Sequence, residues 1–423
     1  MPAELLKNVR LLDAATGRDE VVDVLLEEGI VRAIAPSLTE VPADAAVQDC
    51  MGWVLGTGLV DLYSHSGEPG NESRETLESL KQAAAAGGFT RVVLLPDTEP
   101  ALDDAGAIAG VLPHLGGSGA HLQVWGALTQ KAKGEQMTEL AELATAGVVG
   151  FADGKPLTNP RLVQRVLEYA QPLNLPIALW CCDRELRGDG VAREGMDAMR
   201  LGLPSVPAIA ETSALGTVLE CVAATGTPVH LMRISTARSV AMVAQAKAEG
   251  LPITASTTWM HLLLNTQSLS SYDPNLRLEP PLGTPEDQKA LVEAIASGVI
   301  DAIAIDHAAY TYEEKTVAFA AAPPGAIGLE LALPLLWQAF VTTGQWSAVT
   351  LWRALSTHAL KCLGQEESAI APNQPAELTL YDPNATWTVN QQTLKSKSAN
   401  TPWLNKTLTG RVIKTWSSFS ATS

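Results

Sequence analysis

Imidazole and carboxylate side chains recur at the ends of apolar runs in this chain, as His65, Asp97, Asp153, His261, Asp306 and His307. Such groups move protons near neutral pH and hold divalent metals. Tyr63, Trp180, Arg233 and Trp259 close runs of the same kind. A strand end is polar for the plain reason that it nears water, and each residue taken singly has that explanation. Their repetition at the ends of successive runs points instead to one shared mouth, a former or present site. The adjacent thiols Cys181 and Cys182 point to opposite sides of a strand and read as packed side chains rather than metal ligands.

The runs that must position these residues are Leu59–His65, Arg91–Asp97, Gln123–Thr129, Val148–Asp153, Pro176–Cys182, Pro228–Ser235, Pro252–Trp259 and Ala302–His307. Rich in Val, Ile, Leu and Ala without polar alternation, they have the pattern of parallel strands buried on both faces. Helical periodicity over Glu72–Ala86, Arg161–Ala170, Ala237–Ala248 and Pro285–Ser297 separates several of them. That alternation predicts a (β/α)8 barrel. An open doubly wound sheet is the competing arrangement, weakened by the strand count and by the lack of a Gly-x-Gly-x-x-Gly turn.

Both chain ends have a different texture. Leu5–Leu12, Val21–Glu27 and Ile30–Ile34 are short strands broken by Thr16-Gly17 and Glu28-Gly29, and similar runs return at Ala376–Tyr381 and Gly410–Lys414, with a turn at Asp382-Pro383-Asn384. Residues 1–54 and 372–423 are therefore expected to form one small composite β-sandwich, with 55–371 as the barrel.

Composition removes several classes of function. A 423-residue chain that is 46% hydrophobic and 18% charged has ample material for a large core. Its formal charge of −17 disfavours a nucleic-acid partner, since phosphate binding rests on Lys and Arg clusters. Neither a secretory leader nor an apolar stretch of membrane-spanning length is visible, and five cysteines make an odd number for a disulfide framework. The expectation is a cytoplasmic protein.

The segment Gly58-Leu-Val-Asp-Leu-Tyr-Ser-His-Ser-Gly-Glu-Pro-Gly70 resembles the first-strand signature of the dihydroorotases, within the amidohydrolase superfamily. Gly87-Gly-Phe-Thr90, Leu95-Pro-Asp-Thr98, Phe151-Ala-Asp-Gly154, Ile234-Ser-Thr236, Ile305-Asp-His-Ala308, Pro323-Pro-Gly-Ala-Ile-Gly-Leu-Glu330 and Asn400-Thr-Pro-Trp403 are similar to family motifs in the same order. The resemblance implies a metal-activated water attacking a cyclic amide while a carboxylate shuttles the proton. It places that shuttle, also a metal ligand, at Asp306, and further ligands at His65 and Asp153. At three more ligand positions this chain has Tyr63, Trp180 and Arg233. Indole has no free lone pair and guanidinium stays protonated, so neither replaces imidazole. Asp153 and Arg233 are expected to form a buried ion pair.

The positions that hold the substrate carboxylate in the family are Gly67, Asp97 and Tyr310 here, and Glu279 and Gly283 stand where Asn and Arg are usual. A cation is missing and an anion is introduced, which works against an anionic substrate. The resemblance thus implies a degenerate, noncatalytic homologue that binds no cofactor, keeps Asp306 as a vestigial base, and assembles with aspartate transcarbamoylase or with itself. The alternative is an active zinc hydrolase of dihydroorotate, hydantoin-like or ureide rings, working with His65, Asp153 and Asp306. Trp337, Trp346 and Trp352 are candidates for the docking surface, although helical spacing favours Trp337 and Trp352, each taken alone, packing on the barrel's own strands; Trp346 is foremost because Gly344 and Ser347 beside it suggest an exposed turn.

Overall fold

Runs without polar alternation become strands buried on both faces, as in Leu59–Ser64, where every residue is buried. Seven more follow in the computed structural model, which describes residues 3–417 apart from 118, 158 and 368. They are Phe89–Leu94, His121–Gly126, Gly150–Phe151, Ile177–Trp180, Val229–Met232, Ile253–Thr258 and Ala302–Ala304. Each pairs in parallel with the next in chain order. The eighth strand returns to the first: the His65 amide donates to the His307 carbonyl at 2.8 Å, and the Asp306 amide to that of Tyr63 at 3.1 Å. Asp61 assists from inside the wall, its carboxylate accepting the Ile305 amide at 2.7 Å and the Ser64 hydroxyl at 2.5 Å. Burial pushes Asp61 up to about 7.

Local chemistry sets the helix ends. Thr284 caps Pro285–Ser297 reciprocally with Asp287, Pro285 occupies the first turn, and Gly298 closes the helix at φ 76°. Thr236 caps Ala237–Ala248 one-sidedly, its hydroxyl accepting the Ser239 amide. The first barrel helix is shorter than its periodicity suggests and runs Leu77–Ala86, because Thr76 and Ser79 form the capping box.

Strands from both chain ends form one seven-stranded sheet beside the barrel, in the order Thr407–Ser417, Glu377–Thr388, Val54–Thr57, Glu4–Asp13, Arg18–Glu27, Ile30–Ala35, with Ala46–Asp49 alongside Glu4–Asp13. Period-2 alternation gives it two apolar faces. Leu11, Leu55, Leu380 and Trp416 belong to the sheet's own core, whereas Leu12, Val54, Tyr381 and Trp387 join that of the barrel. The expected turn at Asp382-Pro383-Asn384 is instead an irregularity within Glu377–Thr388, after which pairing resumes at Thr386. Residues 1–2 and 418–423 of the expected sandwich lie outside the described residues.

The expectation of an exposed tryptophan fails at Trp346. Trp346 is only 4% exposed and stacks on Phe340 with ring centroids 4.1 Å apart. Trp337 and Trp352 are buried in the barrel core, the packing that helical spacing favoured for each, and meet edge-to-face at 6.3 Å. Apolar burial outweighed the turn propensity of the flanking Gly and Ser. Cys181 and Cys182 are free, buried thiols.

Candidate functional site at the barrel mouth

The ends of the sixth and eighth strands each place a side chain by a left-handed backbone turn, Arg233 at φ 56° and Asp306 at φ 53°. The two meet in a bidentate pair. Arg233 Nε donates to Asp306 Oδ2 at 2.8 Å, and Nη2 to Oδ1 at 2.6 Å. The remaining guanidinium nitrogen donates to the Gly154 carbonyl at 2.8 Å. The cation also lies over the rings of Trp180 (5.0 Å) and Tyr63 (5.5 Å). Tyr63 fixes the turn itself, since its hydroxyl accepts the Arg233 amide at 3.1 Å and contacts Ser256 Oγ at 3.0 Å.

Burial alone would raise the Asp306 carboxyl, but the facing Arg233 and then His65 hold it down at about 2. His65 Nδ1 contacts Asp97 Oδ2 at 2.9 Å, and its Nε2 lies 3.5 Å from Asp306 Oδ1. Burial opposes charge on the imidazole, yet Asp97 and Asp306 raise it to about 9, and Asp97 is lowered in return. The mouth is thus a chain of paired charges, Asp97 to His65 to Asp306 to Arg233. It lines a cavity of about 180 Å3 with Trp180, Trp259 and Tyr310.

The expected pair between Asp153 and Arg233 does not form. Asp153 is 2% exposed and turned to Thr129, taking its amide at 2.9 Å and its hydroxyl at 2.5 Å. With no guanidinium bound to it and Lys155 acting only weakly, burial pushes Asp153 up to about 6. The fourth strand is short, Gly150–Phe151, and the chain beyond it brings the Gly154 carbonyl, rather than the Asp153 carboxylate, to the guanidinium.

The expected substrate positions are also separated. Asp97 and Tyr310 line the cavity, but Gly67 does not. A Cβ at Gly67 would lie 2.4 Å from the Glu75 carbonyl oxygen, so no larger side chain fits there without backbone movement. The Tyr310 ring has the Arg74 guanidinium at 4.9 Å and the Lys315 ammonium at 5.0 Å. Glu279 accepts from Arg187 and, at 3.5 Å, from Arg277. A Cβ at Gly283 would crowd Asp287 at 2.6 Å.

Two histidines from strand ends serve the fold. Burial lowers His261 to about 4, with Nδ1 2.7 Å from Thr258 Oγ1. His307 Nδ1 accepts the Gly328 amide at 3.2 Å, and its Nε2 lies 3.4 Å from the buried Glu75 carboxylate. Lys155, which also lines the cavity, was missed at the sequence level; its place two residues past Asp153, in the loop after a barrel strand, was the available signal.

The fit to a divalent metal is poor on chemistry alone. Among the described residues no group of three or more His, Cys, Asp or Glu side chains converges as a ligand set. Both Asp306 oxygens are taken by a guanidinium, and Asp153 faces Thr129.

A family model described as dihydro-orotase-like matches residues 52–239, a span holding Tyr63, His65, Asp97, Asp153, Trp180 and Arg233. A probable dihydroorotase-like protein of Synechocystis sp. is 43% identical, over 98% of this chain and 99% of its own length. A dihydroorotase of Pelobacter propionicus is 36% identical over 97% of each. The chain belongs to the dihydroorotase-like amidohydrolase family. Its fold is also that of an L-hydantoinase (dihydropyrimidinase) from Arthrobacter aurescens, with a TM-score of 0.85 at 20% identity over 100% of this chain and 98% of that one. Within this dihydroorotase-like barrel, the Arg233–Asp306 pair lies at the strand ends where the fold places active sites.

Proposed function

We propose that this dihydroorotase-like protein does not hydrolyse cyclic amides and acts through assembly, with aspartate transcarbamoylase or with further copies of itself, in the cytoplasm. The observation that carries the reading is the Arg233 guanidinium bound bidentately to Asp306. A divalent ion set beside that fixed cation meets repulsion on the order of several kcal/mol, even at an effective dielectric near ~20. Asp306, the vestigial base, is held ionised at about 2 and uses its acceptor oxygens on Arg233, so it has little basicity left to take a proton from water. The absence of a membrane-length apolar helix among the described residues agrees with a partner other than a lipid bilayer.

The competing reading, a zinc hydrolase using His65, Asp153 and Asp306, draws support from the dihydroorotases at 36% identity. It requires Arg233 to leave Asp306 and Asp153 to leave Thr129. Converting Tyr63, Trp180 and Arg233 to histidine is expected to leave dihydroorotate hydrolysis undetectable, because Gly67, Asp97 and Tyr310 do not form a carboxylate clamp. Strong turnover from those three changes alone would show the substrate positions to be misassigned.

Co-expression with aspartate transcarbamoylase, followed by size-exclusion chromatography with light scattering, tests the assembly. A stable complex or homo-oligomer, burying upward of roughly 1,000 Å2 per interface, is expected. A monodisperse monomer that ignores the transcarbamoylase at micromolar concentration refutes it.

A further inference from the structure

Next to the inner cavity, and sharing Lys155, Trp180 and Glu279 with it, lies an open depression of about 390 Å3. Cations from the loops after three successive barrel strands converge on it. Lys133 comes from the turn after the third strand, Lys155 from the loop after the fourth, and Arg184 and Arg187 from the short helix Arg184–Arg187 after the fifth. Spacing of three residues puts both arginines on one side of that helix. Only two carboxylates, Glu135 and Glu279, line the same depression, and Arg187 occupies Glu279.

Among the described residues, Lys133, Lys155 and Arg184 make no ion pair. Arg184 donates only to the Lys133 carbonyl, at 3.3 Å, and Lys155 is felt by Asp97 and Asp153 at longer range. The inner cavity is different, since Arg233 is paired with Asp306 and His65 with Asp97. Three cations without carboxylate partners therefore gather at one rim of a chain whose formal charge is −17. Self-repulsion among them is relieved by an anion with several acceptor oxygens. Behind the rim, Trp180 and Tyr310 line the inner cavity, beside which a flat apolar or heteroaromatic group can pack.

We propose that the barrel mouth binds an organic phosphate monoester with a planar ring, the phosphate held by Lys133, Lys155 and Arg184 and the ring entering between Trp180 and Tyr310. The site involves no metal and no hydrolysis, so it stands or falls separately from the assembly reading.

Isothermal titration calorimetry of the full chain with the four ribonucleoside 5′-monophosphates is the test, with the nucleosides and inorganic phosphate as the separated halves. At least one monophosphate is expected to bind with a Kd below about 1 mM, and both halves of that ligand at least about tenfold more weakly. Affinity should fall as salt rises, since the rim cations are solvent-facing. Lys133→Ala, Lys155→Ala and Arg184→Ala should each weaken binding about tenfold. Arg161→Ala, on the helix Pro160–Ala170 outside both cavities, should leave binding unchanged, and matching circular dichroism spectra show that the variants are folded. No saturable binding by any monophosphate, or binding unaltered in all three of these variants, overturns the site. Phosphate alone binding as tightly as the monoester overturns the ring pocket.

Discussion

Asp306 and Asp153 are both well-shielded carboxylates just beyond barrel strands, yet one is held at about 2 and the other pushed up to about 6. Burial acts on both in the same direction. The difference is the partner: Asp306 receives a guanidinium through two hydrogen bonds, whereas the bonds to Asp153 come from neutral backbone amides and the Thr129 hydroxyl. A counter-charge keeps a desolvated carboxylate ionised, and neutral donors compensate only in part. Arg233 thus stabilises Asp306 as an anion, whereas Asp153 has no bound counter-charge.

Removing the cation breaks the comparison most severely. Arg233→Met leaves the buried Asp306 with only His65 as a counter-charge and is expected to cost about 3 kcal/mol in urea unfolding, while adding Asp306→Leu should recover much of that loss. The wild-type Asp306 contribution is present above its unfolded value of 3.8 and is lost as pH falls toward about 2. In Arg233→Met that acid-side loss should shrink to the part that His65 supplies. Equal stability of Arg233→Met and wild type at neutral pH would mean the pair carries no weight.

Asp153 has the opposite sign. Its folded value of about 6 lies above the ordinary 3.8, so the folded chain keeps a proton that the unfolded chain releases. Stability therefore falls as pH rises from about 4 to about 6. Asp153→Asn should remove this slope and stabilise the protein above pH 6 by as much as about 3 kcal/mol, with little gain near pH 4. A variant less stable than wild type at high pH would show that the Thr129 bonds outweigh the burial of charge.

The smallest effect is local to His65. Its imidazole should remain protonated at pH 8 in nuclear magnetic resonance titration, since Asp97 and Asp306 raise it to about 9. Its stabilising effect is complete below about 6.5 and is lost as pH rises through 9. Asp97→Asn should bring the titration down, Asp97 being the largest of the influences that raise it. An unchanged midpoint would assign the raised value to Asp306 alone.

Much of the scaffold was legible in the sequence because its physics is local. Apolar runs without alternation mark strands buried on both faces, and Thr236 and Thr284 announce helices that begin at Ala237 and Pro285. The strands Ala46–Asp49 and Val54–Thr57 were not foreseen; each has four residues, too few for a period. The site was legible only as a set of residues. Which carboxylate meets Arg233 depends on two left-handed backbone turns lying 73 positions apart in the chain, and periodicity carries no trace of either. Asp153, nearer in sequence, was the natural guess and is the wrong partner. Trp346 failed for a related reason, since its stacking on Phe340 is a tertiary contact that the surrounding turn residues do not signal.

Elemental analysis tests the central claim, that Arg233 occupies the place a catalytic metal would need. Protein produced in zinc-supplemented medium and purified without chelator is predicted to contain far less than one zinc per chain. A reproducible zinc at one per chain, released only slowly by chelator, would contradict the account.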